Sequence, residues 1–420
     1  MRWRPGKLAT GTVTVGIGMG LRSLTQALVF LIVARTLGAD GFGSFAAVLA
    51  VAATLSYFSG LGANILLVRD IARDPSQFPE SWGCTLSAYC LGMPIAASVY
   101  GLLAWLVLPD AISWTVRVLL GISEIALIPL AGFAVFAYQG REQMGKVSWM
   151  QLIPPLVRLA GALIFLTFHR VATNFDLLLV WSWLYFFCAL MAVIYTMNCV
   201  NRDFGRPIFP GVGDLFEHVR TSIPFSFSGI AERLYADADK FMLARLDSVG
   251  TAGLYSAGYR FVDFAYIPLH ALMSTAAPRY FRFGQSGIAA AVRYSLKIGI
   301  VPICYGIAIG CLMYWCAPVL AILLGPAYAE AIPIARWLAW LPLVAVPRIL
   351  LHYPLATSGL QQVGMKALLI GAGANIGLNI LWIPPWGWRG AVMATYMAEG
   401  CMIVVMLLCV VKSWHLNQAR

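Results

Sequence analysis

The chain has 420 residues, of which 60% are hydrophobic and 11% are charged, and its formal net charge at pH 7 is +11. A soluble domain of this length needs far more charge to cover its surface, so the composition excludes the soluble globular class. The apolar residues also come in long runs, such as residues 371–383, which contain no charge. Helices cross a bilayer with about 20 apolar residues, whereas barrel strands are shorter and alternate. The sequence therefore predicts an all-α polytopic membrane protein.

Clusters of charged residues, Pro and Gly divide the apolar sequence into about twelve spans with short connections. In the first half we predict spans at 10–35, 43–67, 82–107, 113–137, 148–168 and 174–199. In the second half we predict them at 222–246, 252–277, 292–315, 331–357, 364–383 and 389–412. Arg2, Arg4 and Lys7 precede a full-length span with no small-residue cleavage site, which indicates an uncleaved first helix.

Lysine and arginine are distributed unevenly between alternate loops. If the N-terminus is cytoplasmic, seventeen of the 29 Lys and Arg residues fall on the cytoplasmic side and six on the opposite side. Cytoplasmic loops of membrane proteins carry this kind of excess. We therefore expect a multi-pass protein with both termini in the cytoplasm. Its basic balance indicates topology and contact with anionic membrane lipids, and we expect no nucleic-acid partner.

A weak internal repeat relates the two halves of the chain. Matching positions 210 residues apart include Ala34-Arg35 with Ala244-Arg245, Gly43 with Gly253, and Arg69 with Arg279. Later, Gly140-x-x-Gln143-x-Gly145 matches Gly359-x-x-Gln362-x-Gly364. Parallel repeats are typical of transporters whose substrate binds between two halves that rock against each other. The sequence thus predicts two six-helix lobes, residues 1–205 and 206–420, around a central cavity.

Charged residues inside the spans require an explanation, because placing each charged side chain at the bilayer centre costs about 2.5–3.5 kcal/mol of free energy. The seventh span contains Glu232, Arg233, Asp237, Asp239 and Lys240. Of these, Arg233, Asp237 and Lys240 share one helical face, and Arg260 and Asp263 on the eighth span are three residues apart, so the charges in each group can neutralise one another. Two interpretations stay open for these groups. They form an ion-pair network that holds the second half together, or they act in gating or ion coupling.

Three arginines lack an acidic neighbour on their own span: Arg22, Arg158 and Arg348. Each must find a partner on another helix, such as Glu124 or Glu399, or in a ligand. The guanidinium group suits an anionic ligand because its fork of donors matches phosphate oxygens. We therefore predict these three arginines as anion contacts in the cavity.

The sequence gives no sign of metal or enzyme chemistry. Its nine cysteines include no CxxC pair and no Cys/His spacing suited to a metal, so we predict no metal site and no cofactor. We find no nucleophile–base pattern, and the outer loops are short. A membrane enzyme such as a polysaccharide polymerase, ligase or glycosyltransferase usually needs a large extramembrane loop or domain. We therefore expect no enzymatic activity.

One segment resembles a known family. Residues 34–47 read ARTLGADGFGSFAA and are followed by Gly60-Leu61-Gly62 and Arg69. This resembles the opening of the Wzx-type polysaccharide flippases, which belong to the multidrug/oligosaccharidyl-lipid/polysaccharide exporter superfamily. In the second half, similar stretches are Asp239-Lys240, Gly253–Ser256, Pro278-Arg279 and residues 324–331. Lipid II flippases of this superfamily typically have two more helices, for which this chain has no room.

The resemblance implies twelve helices in two lobes and alternating access across the bacterial inner membrane. It implies a substrate of undecaprenyl pyrophosphate carrying an oligosaccharide repeat unit, for O-antigen or exopolysaccharide synthesis. Polysaccharide polymerase and chain-length proteins are the further partners it suggests. The alternative within the superfamily is an ion-coupled multidrug or toxin extruder, which the carboxylates of the seventh span keep open.

Overall fold

The computed structural model describes residues 7–171 and 176–418, and these ranges are helical with no strand. The predicted all-α membrane class is confirmed. The first half contains α1 (Lys7–Ser59), α2 (Ala63–Arg73), α3 (Phe78–Val107), α4 (Trp114–Ile122), α5 (Ile128–Gly140), α6 (Met144–Val171) and α7 (Leu177–Phe204). The second half contains α8 (Val212–Leu246), α9 (Val249–Gln285), α10 (Ile288–Ile298), α11 (Ile300–Cys316), α12 (Val319–Leu324), α13 (Ala331–Leu338), α14 (Leu341–Thr357), α15 (Gln361–Trp386) and α16 (Trp388–Gln418).

The third to twelfth predicted spans each coincide with one helix or with consecutive shorter helices, whereas the first two share α1. Within the described ranges, eight helices are long and apolar enough to cross a membrane, or nine if the bent pair α10–α11 is one span. Two features account for the smaller number. The chain bends at Gly38 (φ 70°), and α1 contains the first predicted span and most of the second, which continues into α2. In addition, α8 and α9 are less apolar because they carry the charged groups noted above.

The helices pack into two compact units. The first contains residues up to Leu37 and Val48–Arg233, and the second contains Gly38–Ala47 and Leu234–Arg420. These units differ from the predicted halves in two segments. Residues 206–233 belong to the first unit, where the Ile208 N–H donates to the Pro79 carbonyl at 2.8 Å. Residues 38–47 belong to the second, because they make the contact described next.

Two glycines of the sequence repeat face each other in the second unit. A Cβ on Gly43 would collide with the carbonyl of Val249, at the start of α9. A Cβ on Gly253 would collide with the carbonyl of Ala39. Since Ala39 and Val249 are themselves equivalent positions of the repeat, the contact is reciprocal. Two helix starts therefore touch at backbone distance, as small residues permit in membrane proteins.

The second pair of matched motifs forms one kind of turn in both halves. After α5, the Gln143 N–H donates to the carbonyl of Tyr138 (3.0 Å), and after α14 the Leu360 N–H donates to Leu355 (2.9 Å). The residue before each donor is left-handed, Glu142 with φ 55° and Gly359 with φ 80°. This is a common way to end a helix. The structure thus makes Glu142 equivalent to Gly359, whereas the matched sequence motifs pair Gly359 with Gly140, two residues earlier.

We expect Glu142→Gly to stabilise the protein by about 0.5–1 kcal/mol. The left-handed conformation costs a side-chain-bearing residue about 1–2 kcal/mol, and part of the gain is lost to the greater chain entropy of glycine. Thermal unfolding in detergent should show a higher Tm for Glu142→Gly and a lower Tm for Gly359→Ala. Equal Tm values for wild type and both variants would contradict this account of the turns.

Arg117 lies inside the first unit, near the start of the fourth predicted span. Its side chain is buried, and its three nitrogens donate to the carbonyls of Ala104 (2.8 Å), Pro109 (2.8 Å) and Ile112 (3.0 Å). Carbonyls at a helix end lack partners within the helix. Arg117 therefore supplies hydrogen-bond donors to carbonyls at the C-terminal end of α3 and in its connection to α4. This role is structural.

Candidate functional site

The first unit contains a buried chain of three side chains from three helical segments. The Arg158 guanidinium of α6 lies over the ring of Tyr185 on α7, 4.2 Å from its centroid. The Tyr185 hydroxyl donates a hydrogen bond to Glu124 Oε1. Tyr185 and Glu124 are both buried. Glu124, which the sequence suggested as a partner for an arginine, thus reaches Arg158 through a tyrosine.

A local distortion of the fourth predicted span carries Glu124. Residues Ser123–Leu127 form a π-helical turn between α4 and α5. Such turns are rare and frequently occur at functional sites. The Tyr89 hydroxyl donates to the carbonyl of Ala126 at 2.8 Å, which supplies a partner at the distorted turn. The distortion and its tyrosine partner fix the position of Glu124 opposite α7.

Arg22 is also in the first unit, within range of the charge of Arg158. Their guanidinium groups repel each other electrostatically, and the side chain of Arg22 is exposed. Among the described residues, neither arginine belongs to a salt bridge. Both are near the middle of their predicted spans, where a charge is unfavourable unless it meets water or an opposite charge. Each of the two arginines therefore needs water or an opposite charge beside it.

The third predicted arginine has a different environment. Arg348 of α14 is paired with Glu399 of α16, Nε to Oε2 at 2.7 Å, and the Glu399 side chain is only 2% exposed. The Tyr235 hydroxyl of α8 donates to the other carboxylate oxygen at 2.7 Å. Both oxygens of Glu399 are thus occupied, and the charge of Arg348 is offset within the second unit.

The charged residues of α8 are neutralised partly as the sequence suggested. Lys240 forms an ion pair with Asp237, three residues earlier, and its ammonium lies 4.8 Å from the ring centroid of Tyr259. Asp239 is buried and accepts a hydrogen bond from the Tyr255 hydroxyl at 2.6 Å. The helical spacing predicted the first contact, and it gave no sign of the second.

The pair on α9 is less enclosed. Arg260 Nη1 lies 3.2 Å from Asp263 Oδ2, and their side chains are 49% and 46% exposed. The predicted ion pair is confirmed. The gating or ion-coupling role of these two residues, and of Asp237, Asp239 and Lys240, stays a prediction.

Sequence reasoning missed the tyrosines that join these charges. Tyr185 and Tyr235 each donate to a buried glutamate, and Tyr255 donates to a buried aspartate. The sequence signal is weak because tyrosine is also common near membrane interfaces. It also missed two buried asparagines on α15, where Asn379 Nδ2 donates to Asn375 Oδ1 at 2.9 Å. No cluster of metal-ligating side chains occurs in the described part of the chain.

Solved structures with a similar fold are membrane transporters. An inward-facing multidrug resistance MATE family transporter of the MOP superfamily has a TM-score of 0.68 at 12% identity, covering 96% of this chain and 99% of its own. The lipid II flippase MurJ, in an inward closed conformation, has a TM-score of 0.69 at 11% identity, covering 95% and 87%. A MOP superfamily transporter from Pyrococcus furiosus has a TM-score of 0.55 at 12% identity, covering 95% and 94%.

No curated protein matches the chain. The sequence profile described as "Polysaccharide biosynthesis protein" matches residues 8–283, which is more than half of the chain. This range includes the segment whose resemblance to polysaccharide flippases was noted in the sequence, and the transporter fold agrees with it. The chain is a multi-pass membrane protein that belongs to the polysaccharide biosynthesis protein family.

Proposed function

We propose that the protein is a flippase for undecaprenyl-pyrophosphate-linked oligosaccharide repeat units. It moves them by alternating access from the cytoplasmic to the periplasmic leaflet of the bacterial inner membrane, for surface polysaccharide synthesis. A pyrophosphate joined to a glycan cannot cross hydrocarbon unaided, because its charges and hydroxyls would lose their water. The protein must therefore offer the pyrophosphate a substitute for that water near the middle of the membrane.

The observation that carries this proposal is the pair Arg22 and Arg158. Two guanidinium groups lie close enough to repel each other, outside any described salt bridge, near the centre of their predicted spans. A pyrophosphate would relieve this repulsion and accept their hydrogen bonds. An exposed arginine at that depth favours a water-filled environment over lipid, since lipid exposure is costly.

Arg348 has a separate task in this proposal. Because Glu399 already offsets its charge, we assign Arg348 to the network of the second unit instead of the first contact with pyrophosphate. The carboxylates of α8 and the pair Arg260–Asp263 belong to the same unit, and we assign them to gating or ion coupling. Polysaccharide polymerase and chain-length proteins are the partners that such a flippase would supply.

An ion-coupled multidrug extruder is the second candidate. Buried carboxylates such as Asp239 would serve a cationic drug or a coupling ion. The described arginine pair of the first unit favours an anion and therefore favours the flippase.

We expect wild-type protein to restore surface glycan in a bacterium that lacks its own polysaccharide flippase. Arg22→Ala and Arg158→Ala should each reduce restoration about tenfold or more, since a hydrogen bond to a charged group contributes about 1.5–3 kcal/mol. Arg158→Lys should recover only part, because lysine lacks the planar fork. The control is Arg282→Ala at the exposed end of α9, compared at equal membrane levels.

The outcomes separate the candidates. Full restoration of surface glycan by both alanine variants would support the flippase function but contradict the proposed role of the two arginines. Failure of wild type in several glycan backgrounds, with drug resistance on expression, would favour the extruder.

A further inference from the structure

We infer that one end of the second unit binds the headgroups of anionic membrane lipids. This site, which we call the basic end, is formed by six exposed cationic side chains from four helices: Arg279, Arg282, Arg293, Lys297, Lys366 and Lys412. Their packing, their charge and the apolar side chains among them all point to such a lipid. The substrate of the proposed flippase plays no part in this inference.

The packing of α9 against α10 brings the first four cations into one region. The ring of Tyr280, next to Arg279 on α9, has its centroid 4.9 Å from that of Tyr294, next to Arg293 on α10. The Tyr280 hydroxyl also lies 2.8 Å from Ser295 Oγ, within hydrogen-bond distance. The last turns of α9 therefore lie beside α10, and the cations of these two helices are neighbours in the unit.

A hydrophobic cluster connects this region to the other two cations. Its buried members include Ile288 of α10, Ala367 of α15 and Val410 of α16. Lys366 directly precedes Ala367, and Lys412 follows Val410 by two residues. All six cations therefore lie at the same end of the unit, which faces the cytoplasm in the topology predicted from the sequence.

The charge of the basic end has no acidic counterpart in the neighbouring sequence. Only two acidic residues follow Asp263 in the chain, Glu330 and Glu399. Glu330 lies directly before α13, and Glu399 is paired with Arg348. Among the described residues, the six cations belong to no salt bridge. The basic end is therefore a surface of one charge.

Like charges are repeated at helical spacing in this surface. Arg279 and Arg282 are three residues apart on α9, and Arg293 and Lys297 are four residues apart on α10. Side chains at these spacings are neighbours, and like charges there destabilise a helix. An anion beside them would relieve this repulsion. Clusters of four to eight basic residues at the cytoplasmic end of membrane helices are typical of sites for anionic lipid.

Apolar side chains are exposed among the cations. Leu296, directly before Lys297, is 76% exposed, and Ile300, three residues after Lys297, is 63% exposed. Phe283, directly after Arg282, is 42% exposed. A free phosphate or an acidic protein surface matches only the cations. A phospholipid offers its phosphate to the charged group and its acyl chains to the apolar neighbours, so we assign the site to an anionic phospholipid.

The test is native mass spectrometry of the purified full-length protein in detergent, with dioleoyl phosphatidylglycerol or dioleoyl phosphatidylcholine added. The two lipids share their acyl chains and differ in net headgroup charge. The ratio of their dissociation constants for the first lipid bound therefore measures the preference for an anion. Wild type should prefer phosphatidylglycerol. This preference should shrink when ammonium acetate is raised from about 0.1 M to about 1 M, because salt screens charges.

Three variants locate the binding site. Arg293→Gln/Lys297→Gln should lower the preference about tenfold or more, since each basic residue at an anionic membrane surface contributes about fivefold in affinity. Arg69→Gln/Arg202→Gln is the matched control. It removes two exposed cations of the first unit that are each paired with an aspartate, and it should change the preference less than about twofold. Arg293→Lys keeps the charge and should keep the preference. Thermal unfolding of each variant checks that it is folded.

Two wild-type results would overturn the inference without any variant: equal affinity for the two lipids, or a preference that salt does not change. A folded Arg293→Gln/Lys297→Gln protein that loses no more of the preference than the control would also overturn it. If this double variant does not fold, the two substitutions are measured singly, and an unchanged preference in both has the same meaning. None of these measurements depends on glycan restoration, so their outcome is separate from that of the proposed function.

Discussion

Arg348→Met should lower the free energy of unfolding by about 3–5 kcal/mol, because it leaves Glu399 charged and buried without its counter-ion. The Glu399 side chain is 2% exposed, and its two oxygens accept from Arg348 Nε and the Tyr235 hydroxyl. Glu399→Gln alone should lower the free energy of unfolding by a similar amount, since Arg348 then keeps an uncompensated charge. The double variant Arg348→Met/Glu399→Gln removes both charges and retains an acceptor for Tyr235. We therefore expect it to recover most of the lost stability.

Thermal unfolding in one detergent, at equal protein concentration, measures this prediction. The control is Arg260→Ala, which breaks a pair whose members are 49% and 46% exposed. Exposed pairs contribute about 0–1 kcal/mol, so this variant should unfold close to the wild-type Tm. If the double variant is no more stable than either single variant, an uncompensated charge is not the cause of the lost stability.

Gly43→Val and Gly253→Val should each destabilise the second unit by about 1–3 kcal/mol or more, which is the usual cost of overpacking. In both cases the added Cβ meets a backbone carbonyl, of Val249 or of Ala39, which cannot turn away as a side chain could. Because the contact is reciprocal, the two variants should have similar effects. A large difference between them would contradict the reciprocal arrangement.

Gly377→Ala is the matched control for this pair. Gly377 lies in α15 of the same unit, and a Cβ there would meet nothing within 4 Å. Alanine also has the higher helix propensity, by about 1 kcal/mol, so this variant should be neutral or stabilising. The protein level in membranes and the Tm in detergent together distinguish loss of folding from loss of function.

Local rules were sufficient for the contacts that lie on one helix. The pairs Asp237–Lys240 and Arg260–Asp263 are three residues apart, and helical geometry alone brings such side chains together. The spans could be predicted for a similar reason, since each depends on the apolar content of a single segment. The register of the two equivalent turns could not be predicted in this way. The pairing of Glu142 with Gly359 follows backbone angles that the neighbouring letters do not specify.

The sequence by itself determined the membrane class, the order and approximate ends of the helices, the repeat, and which charges require a partner. Only the tertiary structure decided what those partners are. Arg348 meets Glu399, 51 residues away, and Glu124 meets Tyr185, 61 residues away. These contacts depend on how each helix is rotated about its axis and packed on its neighbours, and rotation is set by the whole packed surface of the helix. The same sequence pattern, an arginine with no acidic neighbour on its own span, therefore has two outcomes: Arg348 is in an ion pair with buried Glu399, and Arg158 lies over the ring of Tyr185.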